Sequence, residues 1–506
     1  MKNQLFFLLF IMIAFFSCKE NTADNEITFK FIQVNDVYEI APLGGGEFGG
    51  MARVAHVSDS IKKETPNTFL LMAGDFLNPS LLGTIKIDGE RISGKQMIEV
   101  MNAMNFDLVT FGNHEFDLKE NELQKRLNES TFPWMSSNTR HVTDDDTSFF
   151  KVQKENDTIS VADTYIVTIK EANGKELKIG FLGVTLPSNT KDYVYYGDIY
   201  SESERAYDEL KNKVDVVFGL THLEIEQDIE LLKIIPEIPL IMGGHEHYAM
   251  SVSVGNSKIT KADANAKTIY IHTLVYNTKT KDLVIDSELF FIDKKVASKP
   301  EVATIVSKWL RILNLKIKEI IEDPNEVIFI TKEPLDGTDS ANRAIQTNLG
   351  GMITEAMAWS YNNDEVDAAL VNGGSIRIDD MLPSHLSSVD IFRTLPFGGG
   401  ILKVAINGKL LTEVLDYGKS KQGTGAYLQR FNITEGAQGE WLIAGETIDL
   451  NKTYKVAFSD FLLQGYDIPF LTPGNEGVIT IYKPLKGEKP FDIRKAIILY
   501  LKSLND

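Results

Sequence analysis

Residues 108–115 read Leu108-Val109-Thr110-Phe111-Gly112-Asn113-His114-Glu115, a strand-like run that ends in glycine and then offers an amide, an imidazole and a carboxylate. Short, largely apolar runs bounded by glycine fit buried strands, and groups at the carboxyl ends of such strands stand where open α/β sheets hold ligands. Four further segments repeat the layout. Phe31 to Val34 precedes Asn35-Asp36, Phe69 to Met72 precedes Gly74-Asp75, Val214 to Leu220 precedes Thr221-His222, and Ile238 to Met242 precedes Gly244-His245-Glu246-His247. A lone Gly-Asp or Asn-Asp pair reads as an ordinary turn. Here four of the eight histidines fall in the motifs, in fixed order behind five strand-like runs, and the joint pattern points to a metal centre. His56, His141, His272 and His385 read as structural or exposed.

The only cysteine is Cys18, so the rest of the chain can form neither an internal disulfide nor a thiolate site. Nitrogen and oxygen ligands remain, which suit two divalent ions of the Zn²⁺, Mn²⁺ or Fe²⁺ type. Two such ions about 3.5–4 Å apart clamp the attacking and leaving oxygens of an in-line phosphoryl displacement. They need a bridging carboxylate, and Asp75 fits that role behind a glycine that lets the backbone turn sharply. Asp36 is expected on the first ion and Asn113 on the second, with His222, His245 and His247 completing the shells. His114 follows Asn113 and cannot easily face the same ion, which frees it to donate a proton to the leaving oxygen with Asp117 orienting it.

A chain of 506 residues exceeds the size of a single hydrophobic core, so two domains are expected. Apolar residues at 43% and charged residues at 24% exclude long disorder. The balance of 52 basic against 71 acidic side chains leaves −19, which argues against polynucleotide or anionic lipid partners. A small anionic substrate would need local cations. No protein partner is predicted.

At the amino terminus, Met1-Lys2-Asn3-Gln4 and the apolar stretch Leu5 to Phe16 have the layout of a secretory signal, too short to span a bilayer comfortably. Cys18 follows at once and resembles the lipidated residue of a bacterial lipobox. The alternative is a plain signal peptide with an incidental thiol. The expected organisation is a signal over 1–18, a tether over 19–26, a metal domain of alternating strands and helices over 27–300, an interdomain helix over 301–325 and a second domain over 326–506. Within the metal domain, Asp144 to Lys175 reads as a surface hairpin and loop, and Thr278 to Asp286 as the last hairpin. Val302, Ile305, Trp309, Ile312, Leu313, Ile317 and Ile320 recur at helical spacing, and Asp323-Pro324 ends that run.

The order and wording of the motifs resemble the calcineurin-like metallophosphatases, in particular the 5'-nucleotidases and UDP-sugar hydrolases. The resemblance covers nearly the whole chain after the leader. It implies an α/β (α+β) fold, a four-layer α-β-β-α sandwich followed by a second α/β specificity domain. Family members usually read Asn-Asp-x-His at the first motif, where this chain has Asn35-Asp36-Val37-Tyr38. Asp36, Asp75 and His247 then remain for the first ion, enough for an open catalytic site.

In the second half, Asn372-Gly373-Gly374-Ser375-Ile376-Arg377 puts an amide and a guanidinium beside a turn. Arginine binds phosphate bidentately, so Arg377 is either a substrate clamp or a surface residue capping the turn. Phe397 and Phe461, followed by Asp467, read as core aromatics on composition. By resemblance they sandwich the nucleobase while the acid binds the ribose, and stacking of that kind tolerates any base. Arg343 falls where relatives keep a phosphate-binding arginine, and Asp339 stands where some carry a second.

The expected function is an exported, lipid-tethered 5'-nucleotidase whose substrate is a small nucleotide and whose membrane contact is the lipid alone. The alternatives are a 2',3'-cyclic nucleotide phosphodiesterase or nucleotide-sugar pyrophosphatase, and a nucleotide-binding protein disabled at the Tyr38 position.

Overall fold

The computed structural model describes residues 25–172, 174–188, 190–324, 326–362, 365–382 and 384–505. The leader with Cys18, residues 19–24 of the tether and Asn325 lie outside the described residues.

Each motif strand alternates its side chains between two cores. In Glu26–Val34, Ile27, Phe29 and Phe31 enter one apolar cluster while Ile32 and Val34 enter another. The strand pairs in parallel with Thr68–Ala73 and antiparallel with Thr268–Asn277. It sits centrally in a six-stranded sheet ordered Leu283–Phe291, Thr268–Asn277, Glu26–Val34, Thr68–Ala73, Leu108–Thr110, Trp134–Met135. A second six-stranded sheet runs Thr164–Lys170, Glu176–Leu182, Val216–His222, Leu240–Gly244, Ser257–Lys261, Met250–Val254. The two sheets face each other through Phe29, Phe31, Phe181 and Phe218, where Phe31 meets Phe218 edge to face at 5.1 Å. Helices Met51–Glu64, Lys95–Met104 and Glu120–Glu129 cover the first sheet, and Ile199–Leu210 and Ile225–Ile234 the second. These are the four layers the sequence implied.

Three local readings shift. The strand expected to stop at Leu220 continues through His222, because Thr221 and His222 pair with Gly243 and Gly244. Within the stretch read as hairpin and loop, Thr164–Lys170 is an edge strand of the second sheet, a short β-branched run set between polar segments. The last hairpin is longer than its turn region suggested and joins Thr268–Asn277 to Leu283–Phe291.

The linking helix runs Pro300–Ile317, with proline in its first turn and Val302, Val306, Trp309, Leu313 and Ile317 buried. It ends before Asp323-Pro324, since Ile320 and Ile321 fold back as a turn onto the Ile317 carbonyl. Beyond it lies a five-stranded sheet ordered Leu428–Phe431, Ala368–Asn372, Thr453–Ser459, Ile401–Asn407, Val478–Tyr482. Helix Gly408–Ser420 packs on one face, Asn348–Trp359 and Ile493–Ser503 on the other. Among the described residues no helix is long and apolar enough to cross a membrane.

Candidate metal centre and interdomain site

The strand ends converge because their glycines admit close approach. A Cβ on Gly74 would lie 2.4 Å from the Gly112 nitrogen, and one on Gly112 would lie 2.1 Å from Asp75 Oδ1. The residues that follow take backbone conformations L-amino acids avoid: φ is 52° at Asp36, 56° at Asp75, 98° at His245 and 62° at His247. Such strain gathers where a site must aim side chains.

Asp36, Asp75 and His247 bring one ligand atom each within 4.8 Å of one another. His247 Nε2 is 3.2 Å from Asp36 Oδ1, and His222 Nε2 is 3.2 Å from Asp75 Oδ2 and 3.9 Å from Asp36 Oδ1. Asp36 Oδ1 and His222 Nε2 are fully buried without a hydrogen bond. Buried groups of this polarity need a partner, and an all-nitrogen-and-oxygen set with two carboxylates fits a divalent cation. The second atoms are already engaged. Asp36 Oδ2 accepts from the His245 backbone and from Asn35 Nδ2, while His222 Nδ1 lies 2.8 Å from the Ala73 carbonyl. His245 stands beside His222 at 5.5 Å between rings, and burial with the neighbouring His222 pushes its imidazole down to about 3, keeping it neutral as a ligand must be. Asn113 is buried directly after its strand.

Tyr38 reaches into this set. Its hydroxyl donates to Asp75 Oδ2 at 3.1 Å and lies 2.9 Å from His247 Nε2. Burial and the charges of Asp75 and Asp36 raise the phenol well above its ordinary value.

Beside the cluster, His114 Nδ1 is 2.8 Å from Asp117 Oδ2. Burial works against the imidazolium, but Asp117 and Asp75 outweigh it and hold His114 up to about 9. Three residues of the second domain close over this pair. Arg377 Nη2 donates to Asp117 Oδ2 at 2.9 Å, Asp379 stands 3.1 Å from His247 Nδ1, and Asp339 and Asp379 both approach the His114 ring. Arg343 pairs with Asp339, and the Nε atoms of Arg343 and Arg377 are buried without a hydrogen bond.

At the Gly374-Ser375 turn, two residues before Arg377, a cavity of about 410 Å³ is lined by Phe397 and Phe461, which are 57% and 37% exposed. Aromatics left in water at the mouth of a cavity are not core residues. Asp467 stands beside this wall, accepting from Asn372 Nδ2 at 2.6 Å.

Several supports were not singled out from sequence. Glu115 accepts from the backbone nitrogens of Asp75, Phe76, Leu77 and Gly112 at 2.6–3.0 Å, tying two motif loops together. Buried Lys261 bridges Asp228 and Glu246, and Asp228 accepts from Thr221, so the last two motifs share one ionic clamp. Glu115 and Glu246 lie inside the motifs and signalled themselves only as unassigned acids. Lys261, Asp228 and Asp379 carry no local signal at all.

Carboxylates and imidazoles converging at the strand ends of a four-layer sandwich define a metallophosphoesterase. Residues 29–249 match the calcineurin-like phosphoesterase family, whose members use divalent metals, and residues 327–472 match the 5'-nucleotidase C-terminal domain. The chain is 24% identical to a snake venom 5'-nucleotidase of Naja atra over 85% of its length and 87% of the relative's. It is 24% identical to protein UshA of Escherichia coli strain K12 over 83% and 82% of the two chains. A 5'-nucleotidase precursor from Thermus thermophilus shares the fold with a TM-score of 0.66 and 21% identity, over 94% of this chain and 97% of that one. The chain belongs to the 5'-nucleotidase family of calcineurin-like metallophosphoesterases and is a hydrolase.

Proposed function

We propose that this chain is an exported 5'-nucleotidase that hydrolyses nucleoside 5'-monophosphates to nucleoside and phosphate. The observation that carries the reading is the meeting of Arg377 with the His114–Asp117 pair, beside a cavity walled by Phe397 and Phe461. A phosphate and a base joined by a ribose would span those two places.

Asp36, Asp75 and His247 would hold one divalent ion, with Asn113, His222 and His245 serving the second and Asp75 shared. Bound there, divalent ions supply Lewis-acid polarisation of the phosphoryl group and activation of the attacking water. The remaining work falls to side chains. Arg343 and Arg377, each with an unsatisfied Nε–H, hold the phosphate. Asp117 fixes the His114 tautomer with the proton on Nδ1, so Nε2–H of the imidazolium protonates the departing ribose oxygen. Phe397 and Phe461 stack the base, and Asn372 with Asp467 takes the ribose hydroxyls. Metal domain 27–300, linking segment 301–325 and specificity domain 326–506 are the units of this reading. Signal 1–18 would deliver the chain across the membrane and Cys18 would anchor it by lipid through the tether 19–26.

Chromatographic product analysis of AMP, UMP, 2',3'-cyclic AMP, UDP-glucose and p-nitrophenyl phosphate, with Mn²⁺, Zn²⁺ or chelator and with free phosphate read alongside, tests the proposal. Fast, chelator-sensitive release from the monophosphates is expected. Turnover confined to the cyclic nucleotide or the nucleotide sugar would replace the monophosphatase reading with the diesterase one.

A further inference from the structure

The cavity between Phe397 and Phe461 has one charged side chain in its wall, and it comes from the metal domain. Arg91 ends the hairpin Lys86–Ile87/Glu90–Arg91, whose turn Asp88-Gly89 takes φ of 52° and 88° as a tight hairpin requires. All six hairpin residues are exposed, so no core explains the projection. Its root lies against the second domain, where Thr84 Oγ1, which donates to the Leu81 carbonyl at 2.8 Å, comes within 3.4 Å of the Pro396 carbonyl next to Phe397. The Arg91 side chain has no ion pair or hydrogen bond among the described residues. Ser459 also lines this cavity and is only 6% exposed, yet its Oγ makes no hydrogen bond. A buried hydroxyl without a partner is costly unless a ligand completes it.

Resting on the nucleotidase reading, we propose that Arg91 and Ser459 read the edge of the stacked base and select bases that present a carbonyl beside a ring N–H. Arginine only donates, whereas a serine hydroxyl can accept. Hypoxanthine, guanine and uracil offer a carbonyl to Arg91 and an adjacent N–H to the Ser459 Oγ. Adenine and cytosine offer an amine and a bare ring nitrogen, so donor faces donor at Arg91. Phe397 and Phe461 set the plane of the base without discriminating, and the two polar groups supply the discrimination that stacking lacks.

The test compares IMP with AMP, which differ at this edge alone, on the full-length protein and its Arg91→Ala and Ser459→Ala variants. The kcat/KM ratio is expected to favour IMP by about tenfold or more, as one well-formed base-edge contact does. That ratio should fall toward unity in Arg91→Ala and partly in Ser459→Ala. Calorimetric binding of inosine against adenosine reads the same preference without turnover, so an inactive preparation still decides the matter. Equal use and equal binding of the two by wild type overturns the proposal, as does a preference that survives Arg91→Ala. Failure of the nucleotidase reading looks different: p-nitrophenyl phosphate is hydrolysed while neither monophosphate is.

Discussion

Tyr38 places a phenol where its hydroxyl touches both Asp75 and His247, between ligands expected to share an ion. A neutral phenol ligates poorly, so Tyr38→His is expected to raise metal affinity at the first position, read by metal content after dialysis. Unchanged stoichiometry and affinity would remove Tyr38 from the ligand shell. His114→Ala should lower kcat by about 10²–10⁴-fold with metal content intact, the range for a lost general acid. Retained activity in a fully metallated variant would sink the acid assignment. A different histidine contributes to acid stability. Burial pushes His272 down from 6.5 to about 3 in the fold, where it rests on Gln33 and Ser287. The unfolded chain therefore takes up a proton near pH 6.5 that the folded chain refuses. Its stability is whole above that pH and falls by about 1.4 kcal/mol per unit as pH drops toward 3. Melting temperature against pH should be flatter in His272→Gln across that window.

At the scale of elements, five strands deliver ligands to one edge, but loops with left-handed residues aim them. Glu115 is the strap. Removing its carboxylate leaves four buried backbone N–H groups without their acceptor. Glu115→Ala is expected to lose about 3 kcal/mol or more on denaturant titration and to weaken metal retention with it. A variant as stable as wild type would mean water replaces the strap. The edge strand Thr164–Lys170 shows why part of this layout escapes sequence reading: its short β-branched run sits between polar stretches whose composition dominates the segment.

Across the whole molecule, the second domain supplies groups to the metal-bearing one. Asp379 caps His247 Nδ1 through both its backbone carbonyl at 2.9 Å and its carboxylate at 3.1 Å, and Lys267 meets Asp380 at 2.7 Å. A carboxylate that orients a ligating imidazole typically sets 10- to 100-fold in metal affinity, so Asp379→Ala is expected to weaken binding by about that factor. Competition with a chelator measures it, and an affinity equal to wild type would show that His247 is held without the second domain. Helix Pro300–Ile317 packs on helices Met51–Glu64 and Lys95–Met104, so any relative movement of the halves must hinge after Ile317.

The sequence by itself determined the sandwich, because buried strands must be apolar and their ends, freed from packing, carry the ligand residues in a readable order. It singled out Asp36, Asp75, Asn113, His114, His222, His245 and His247 as one candidate set, since histidines and carboxylates recur there in a fixed order behind strand-like runs. Only tertiary structure decided what lies between the halves. Arg377 against Asp117, Asp379 against His247, and Arg91 with Ser459 lining one cavity join residues more than a hundred positions apart. Such pairs leave no local period or motif, because their energy arises from burial and charge at contacts that exist only once both domains are folded and docked.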